Sequence, residues 1–349
     1  MSNKKLPFQP IRGELYTSAE LSNGFDPNRP ESLVEMTDFQ TYRYFYMNGR
    51  ATPADPYVGM MEALHDNSIL QAMFEYLTSY KRKVAIMGGH REERSSKNYR
   101  SVVALAKRLS EKDYLLASGG GPGAMEATHL GALLKGQNEE TVNKAIDLLA
   151  TRPSLPAGAE RVVSPMGEID YNIVKSLHEW SKPAHELMQQ LQQRGESLAV
   201  PTWHYGHEPV TPLATHAAKY FQNSIREDVL LMLATQGIIF APGRAGTLQE
   251  VFQDAAQNYY AGDNGIFSPM VFFDADSFWT KTLPIQPLLE GLFKLGGEER
   301  EHQYHTNVLY TADIDQIVEF LLERVPSEKQ VMVRLKKLGL GPMEKAALS

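Results

Sequence analysis

The chain has 349 residues, a formal net charge of −7 and no cysteine. That excludes disulfides, thiol nucleophiles and cysteine metal sites, and it argues against a protein that lives by gripping nucleic-acid phosphates, which is usually basic. With 42% hydrophobic and 22% charged residues, it reads as a globular chain long enough for one large domain with an added lobe. The first ten residues, Met1 to Pro10, lack the apolar core of a signal peptide, and no apolar run is long enough to span a bilayer. The expectation is a cytoplasmic protein with no membrane and no nucleic-acid partner.

Taken in order, residues 1–55 are punctuated by Pro7, Pro10, Pro27 and Pro30 and carry an aromatic knot of Tyr42, Tyr44, Phe45 and Tyr46. They read as an irregular extension packed on the core or on a second subunit. From Tyr57 to Tyr80 the apolar residues Met61, Leu64, Leu70, Met73, Phe74 and Leu77 recur at helical spacing, so residues 1–80 form an N-terminal extension ending in a helix. Val84–Met87 is then a short buried strand, followed by Gly88-Gly89-His90-Arg91. Tyr99, Val102, Val103 and Ala106 mark the next helix. Leu115–Ala117 is a second strand, running into the glycine turn Ser118-Gly-Gly-Gly-Pro-Gly-Ala-Met125. Strand, glycine turn and helix in alternation predict an α/β protein: a Rossmann-like, doubly wound parallel sheet with helices on both faces.

Residues 136–196 read as a helical insertion. Its long apolar face includes Val174, Leu177, Trp180, Ala184 and Leu187, with Pro183 placed to kink it. Thr151–Pro165 is a proline-rich linker within the insertion. Leu198–Val200 resumes the sheet, and Trp203-His-Tyr-Gly-His207 follows as a loop whose histidines are polar loop residues or substrate contacts; His-x-x-His alone is a poor metal signal. Asn223 or Ser224 is placed to cap a helix with Ile225, Val229 and Met232 inward. Arg226 falls in its first turn, where the helix dipole disfavours a cation. Either a surface ion pair or a bound anion answers that penalty, and the anion is the functional reading.

Ile238–Phe240 is a strand closed by Pro242-Gly243. Gly246 lets backbone approach a ligand closely, and Thr247 opens a helix whose free N–H groups favour an anion. The expected inner face of that helix is Leu248, Val251, Phe252, Ala255 and Tyr259. Glu250 lies off it, so that its carboxylate can stand beside whatever the turn holds. A phosphate cradle with an adjacent carboxylate suits a phosphorylated sugar. Thr247-x-x-Glu250 is equally a capping box, in which both side chains only satisfy backbone amides. The other glycine run, Gly119-x-Gly121-x-x-Ala124, fits the dinucleotide fingerprint in form. It does not follow the first strand of its unit, however, and the acidic residue expected about twenty positions on is out of place, so it reads as a phosphate or ribose cradle. Met270–Phe273 and Val308–Tyr310 complete the sheet, Phe278–Leu295 is mostly helical, Ile314–Val325 is a closing helix started near Asp313, and residues 327–349 are a basic tail.

The pattern Pro242-Gly-Arg-Ala-Gly-Thr-Leu-Gln-Glu250 resembles the PGGxGTxxE motif of the LOG ("Lonely guy") family, formerly mislabelled lysine decarboxylases. Gly119-Gly-Gly-Pro-Gly-Ala-Met125 is similar to its other glycine loop, nearest to the bacterial nucleotide 5'-monophosphate nucleosidases of that group. Together they cover residues 82–325 apart from the insertion. The resemblance implies hydrolysis of the N-glycosidic bond of a nucleoside 5'-monophosphate to free base and ribose 5-phosphate, with no metal or other cofactor and a homodimeric assembly. It makes Glu250 and Arg226 catalytic, gives the 5'-phosphate to Gly243, Gly246 and Thr247, sets Gly119, Gly120, Gly121 and Met125 along the ribose or base, and closes the crevice with Gly88 and Gly89. One position departs from the motif: Arg244 stands where the family has its second glycine, either clamping phosphate, pointing out of the turn, or blocking the family's substrate. A non-catalytic nucleotide sensor on the same fold is the alternative function.

Overall fold

The structure, a computed structural model, describes residues 6–192, 195–261, 266–327, 329–331 and 333. The basic tail expected from residue 327 lies almost wholly outside the described residues. Eight strands form one sheet: β1 (Tyr16–Thr17), β2 (Lys83–Met87), β3 (Leu115–Ser118), β4 (Ser197–Ala199), β5 (His216–Ala217), β6 (Ile238–Phe240), β7 (Met270–Phe273) and β8 (Val308–Thr311). Their order is β1-β5-β4-β3-β2-β6-β7-β8. Every pairing is parallel except that of the edge strand β1 with β5.

The central strands are continuously apolar because both faces are covered. Alternation divides them between two cores. Ala85, Met87, Leu115, Ala117, Ile238 and Phe240 point to one face. Val84, Ile86, Leu116, Ile239, Val271 and Phe273 point to the other. Residues of the helices Lys97–Ser110, Ala124–Leu133 and Ile314–Glu323 fill the second face. The first is covered by Pro56–Thr78, Asn223–Leu233, Ala245–Tyr259 and Gln286–Leu295. The sheet is therefore doubly wound: the chain steps from β2 through β3 and β4 to β5, then returns beside β2 at β6 and steps outward the other way.

The N-terminal extension is part of this architecture. Ile69, Met73 and Leu77 of the helix Pro56–Thr78 lie in the same core cluster as the strand residues Ala85 and Met87. Asp38, itself buried, accepts from Lys219 Nζ at 2.5 Å and from Trp203 Nε1 at 2.9 Å. Asp66 accepts from the backbone N–H groups of Phe221 and Gln222, both at 2.9 Å. These are the amides leading into Asn223–Leu233, a helix with no side-chain cap of its own. The cap expected from Asn223 or Ser224 is thus replaced by a carboxylate far away in sequence.

The insertion forms two helices, Glu139–Ala150 and Tyr171–Gln190, the second running on past Pro183. Its proline-rich linker is held by Arg94, a buried residue that bonds Glu126 through Nε at 2.7 Å and Nη2 at 2.6 Å and donates to the carbonyls of Arg152 and Trp180. The region Phe278–Leu295 is mostly helical, as expected: a π-helical turn at Phe278–Thr282 is followed by the α-helix Gln286–Leu295, and Asp276 and Ser277 just before that turn adopt positive φ. No helix among the described residues is long and apolar enough to cross a membrane.

Candidate functional site

In an open parallel sheet, the crevice for a ligand lies outside the carboxyl ends of the strands where the winding reverses. Here that is between β2 and β6, and three glycine loops meet there. Gly89 N–H donates to Pro242 O at 3.1 Å, and Ala124 N–H donates to Gly89 O at 3.2 Å. A methyl group on Gly88 would sit 2.7 Å from Ala124 Cβ and 3.0 Å from Ala241 Cβ. Gly123 has φ +73°, and a Cβ there would lie 2.3 Å from Gly89 O. Gly88 and Gly89 therefore lock the loops after β3 and β6 against each other.

After β6 the helix begins at Ala245, two residues before the expected start, with Arg244 at its N-cap and no capping side chain. Thr247 is consequently inside the first turn, buried, with its hydroxyl folded beneath Gly243. The capping box is not formed, because Arg244 and not Thr247 is the N-cap residue. Arg244, Ala245 and Gly246 are exposed, and nothing lies within 4 Å of a Cβ built on Gly246. The helix thus presents uncapped N–H groups to open space, the local arrangement that favours an anion. The exposed Arg244 is close enough to His90 to lower that imidazole's pKa, together with burial and Arg91. The inner face of the helix is rotated from expectation. Phe252 is 39% exposed, while Asp254 and Asn258 are buried. The turn is fixed by Asn258, which exchanges two hydrogen bonds with the backbone of Ser268.

Arg226 projects from Asn223–Leu233 to the carboxyl end of β4, where its Nε donates to Val200 O at 3.1 Å. Its Nη1 lies 3.8 Å from Glu250 Oε1, with both side chains largely shielded at 14% and 15% exposure. This is not a surface ion pair. Burial pushes the Glu250 carboxyl up to about 7; Arg226 opposes that shift and Glu227 adds to it.

The glycine loop after β3 closes on the same guanidinium. A Cβ on Gly119 would meet Arg226 Nη2 at 2.2 Å and Met125 Sδ at 2.5 Å. The Met125 thioether folds back over Gly119 and reaches Gly121 as well. Gly120, at φ +73°, packs against Ala199, and its carbonyl accepts from Thr211 N–H at 3.1 Å. Behind the loop, Ser118 Oγ and His129 Nε2 are 2.8 Å apart, and burial drives the His129 pKa down to about 3, leaving a neutral imidazole.

One acidic residue had no signal in the sequence. Glu208, just beyond the Trp203–His207 loop, brings Oε2 within 3.1 Å of the position a Cβ would take on Gly121. Burial raises its carboxyl to about 7, against the opposing charge of Arg226. It also lines a cavity of about 560 Å³, walled by His90 and Arg91, Pro122, the 153–160 segment of the linker, Trp180 and His207. Arg226 is thus paired with Glu250, and its charge also acts on Glu208. Motif reading found the first carboxylate and could not find the second, which belongs to no glycine turn.

No family model matches the chain, and no curated protein matches it. Among solved structures, similarity is found to the molybdenum cofactor binding protein from the phototrophic bacterium Rippkaea orientalis. It covers 70% of this chain and 98% of that one, at 11% identity and a TM-score of 0.38. A likeness at that level assigns neither fold nor chemistry.

Proposed function

We propose that the protein hydrolyses the N-glycosidic bond of a nucleoside 5'-monophosphate, giving free base and ribose 5-phosphate, as a homodimeric member of the LOG group. The observation that carries this reading is the shielded pair of Arg226 and Glu250 beside an uncapped helix N-terminus. Cleaving the bond to C1′ develops positive charge on the ribose, and a carboxylate held close to it stabilises that charge more than it stabilises the neutral sugar. Glu250 takes that role and orients the attacking water. Arg226 binds phosphate or ribose oxygens; its guanidinium is fixed at one end by Val200 O, so its free edge is aimed. The N–H groups around Gly243–Thr247 hold the 5'-phosphate, Arg244 is free to reach it from outside, and Gly119, Gly121 and Met125 form the floor under the sugar.

The anion grip is tested with Arg226→Ala. Wild-type protein is expected to turn over monophosphates at least about a hundredfold faster than the unphosphorylated nucleosides, as two or more charge-assisted hydrogen bonds allow. The variant is expected to lose nucleotide activity and most of that preference. Equal wild-type rates on nucleoside and nucleotide, read by chromatography of the released base, would remove the phosphate assignment.

A further inference from the structure

We infer that Glu208 is a second catalytic carboxyl, the group that protonates the departing base, and that the cavity it lines is the base pocket. This rests on the hydrolase reading above. The chemistry asks for two acidic groups in opposite states. Glu250 serves as an anion, since only the carboxylate stabilises a cationic sugar. The leaving nitrogen needs a proton, because a base expelled as an anion is a poor leaving group. One carboxyl cannot be both at once, and the site contains two.

The geometry divides the roles. Arg226 and Glu250 face each other at 3.8 Å on the side of the β6 turn. Glu208 reaches Gly121 of the glycine loop after β3, near enough to Arg226 for that charge to act on it, and it lines the cavity, whose walls include neither Arg226 nor Glu250. A ribose seated over Gly119 and Gly121 with its phosphate at Gly243–Thr247 directs its base past Glu208 into that space. Pro122, Leu155 and Trp180 give it apolar wall, and about 560 Å³ accommodates a purine or a pyrimidine. Glu208 is held in place through its backbone: its N–H donates to Tyr205 O at 2.8 Å, Gly206 N–H donates to Trp203 O at 3.0 Å, and Trp203 is anchored to Asp38. Burial keeps the Glu208 carboxyl partly protonated near neutrality, the state a proton donor requires.

The step balances as follows. The C1′–N bond breaks and its electron pair stays on nitrogen, which takes the proton of Glu208. Water adds to C1′ and gives one proton to Glu250. That proton leaves to solvent, from which Glu208 is reprotonated. The sum is nucleotide plus water to base plus ribose 5-phosphate.

The test uses the full chain, Glu208→Gln, and two leaving groups. On nucleoside monophosphates the variant is expected to lose about 10²- to 10⁴-fold in kcat, the usual contribution of a general acid. On p-nitrophenyl β-D-ribofuranoside 5-phosphate, whose phenolate departs without a proton, it is expected to keep activity within about threefold of wild type. A thermal melt confirms that the variant is folded. Equal losses on both substrates, or no cleavage of the aryl substrate by either protein, would overturn the assignment to Glu208 while nucleotide hydrolysis by wild type stands. Wild type that releases base from no nucleoside monophosphate would overturn the hydrolase reading itself, and this inference with it.

Discussion

At the scale of residues, the site pairs Arg226 with Glu250 at 3.8 Å and sets Glu208 within reach of the same charge. Burial raises both Glu250 and Glu208 to about 7 although Arg226 opposes each shift. The charged groups around them are Arg226 and Glu227 beside Glu250, Arg226 acting on Glu208, and His90, Arg91, Glu92, Glu93, Arg94, Glu160 and His207 around the cavity that Glu208 lines. With Glu250 proposed to act ionised, protonation as pH falls below about 7 is expected to remove activity. With Glu208 proposed to act protonated, ionisation as pH rises above about 7 is expected to remove it too. The profile of kcat/KM is therefore expected to be a narrow bell with its maximum near neutral pH, and Glu208→Gln is expected to remove the alkaline limb while the acid limb remains. A profile flat from pH 5 to 9 would contradict both roles. Glu250 and Arg226 were legible in the sequence because they sit at fixed intervals from a glycine turn. Glu208 was not, since its protonation is set by burial in the folded chain, opposed by Arg226, and neither is visible along the sequence.

At the scale of elements, the glycine loops divide into those that hold each other and those that hold side chains. At Gly119 an added methyl would meet only the ends of Arg226 and Met125, both flexible. Gly119→Ala is expected to leave thermal stability within about 0.5 kcal/mol of wild type, as for substitutions that disturb no packed backbone. By displacing the guanidinium it should cost at least about tenfold in kcat/KM. At Gly123 the methyl would strike Gly89 O and His90, in a backbone conformation with positive φ. Gly123→Ala is expected to destabilise the fold by about 1–3 kcal/mol as well as to inactivate it. Thermal melts with parallel kinetics separate the two cases, and a Gly119→Ala protein as active as wild type would break the link from that loop to Arg226. The long apolar strands and amphipathic helices were legible from periodicity. The strands β1 and β5, two residues each, carry too little pattern to be read, and Glu298–Asn307 is a helix whose single buried residue is Tyr304. The rotated face of Ala245–Tyr259 escaped because hydropathy places Phe252 inward, whereas the hydrogen bonds of Asn258 to Ser268 turn it out.

At the scale of the whole molecule, the N-terminal extension builds the site from behind. Asp66 receives the amides that begin the arginine helix, and Asp38 satisfies the buried Lys219 and the Trp203 that anchors the Glu208 loop. Removing one partner of a buried ion pair strands the other charge, so Asp38→Ala is expected to destabilise the protein by about 3–5 kcal/mol. The denaturant midpoint should fall with no change in slope. A change below about 0.5 kcal/mol would show the extension to be an appendage. Composition revealed its aromatic knot but not its long-range partners, because a lone aspartate has no periodicity to betray what it faces.

The central claim is that this crevice breaks a glycosidic bond. The direct measurement is incubation of the wild-type protein and Glu250→Gln with a panel of nucleoside monophosphates, following free base by chromatography and ribose 5-phosphate by a reducing-sugar assay. The account predicts equimolar base and ribose 5-phosphate from at least one nucleotide with wild type. Glu250→Gln should be nearly inactive although its melting temperature is unchanged. A Glu250→Gln protein that matches wild-type turnover, or a wild type that binds nucleotides and releases no base, would contradict it.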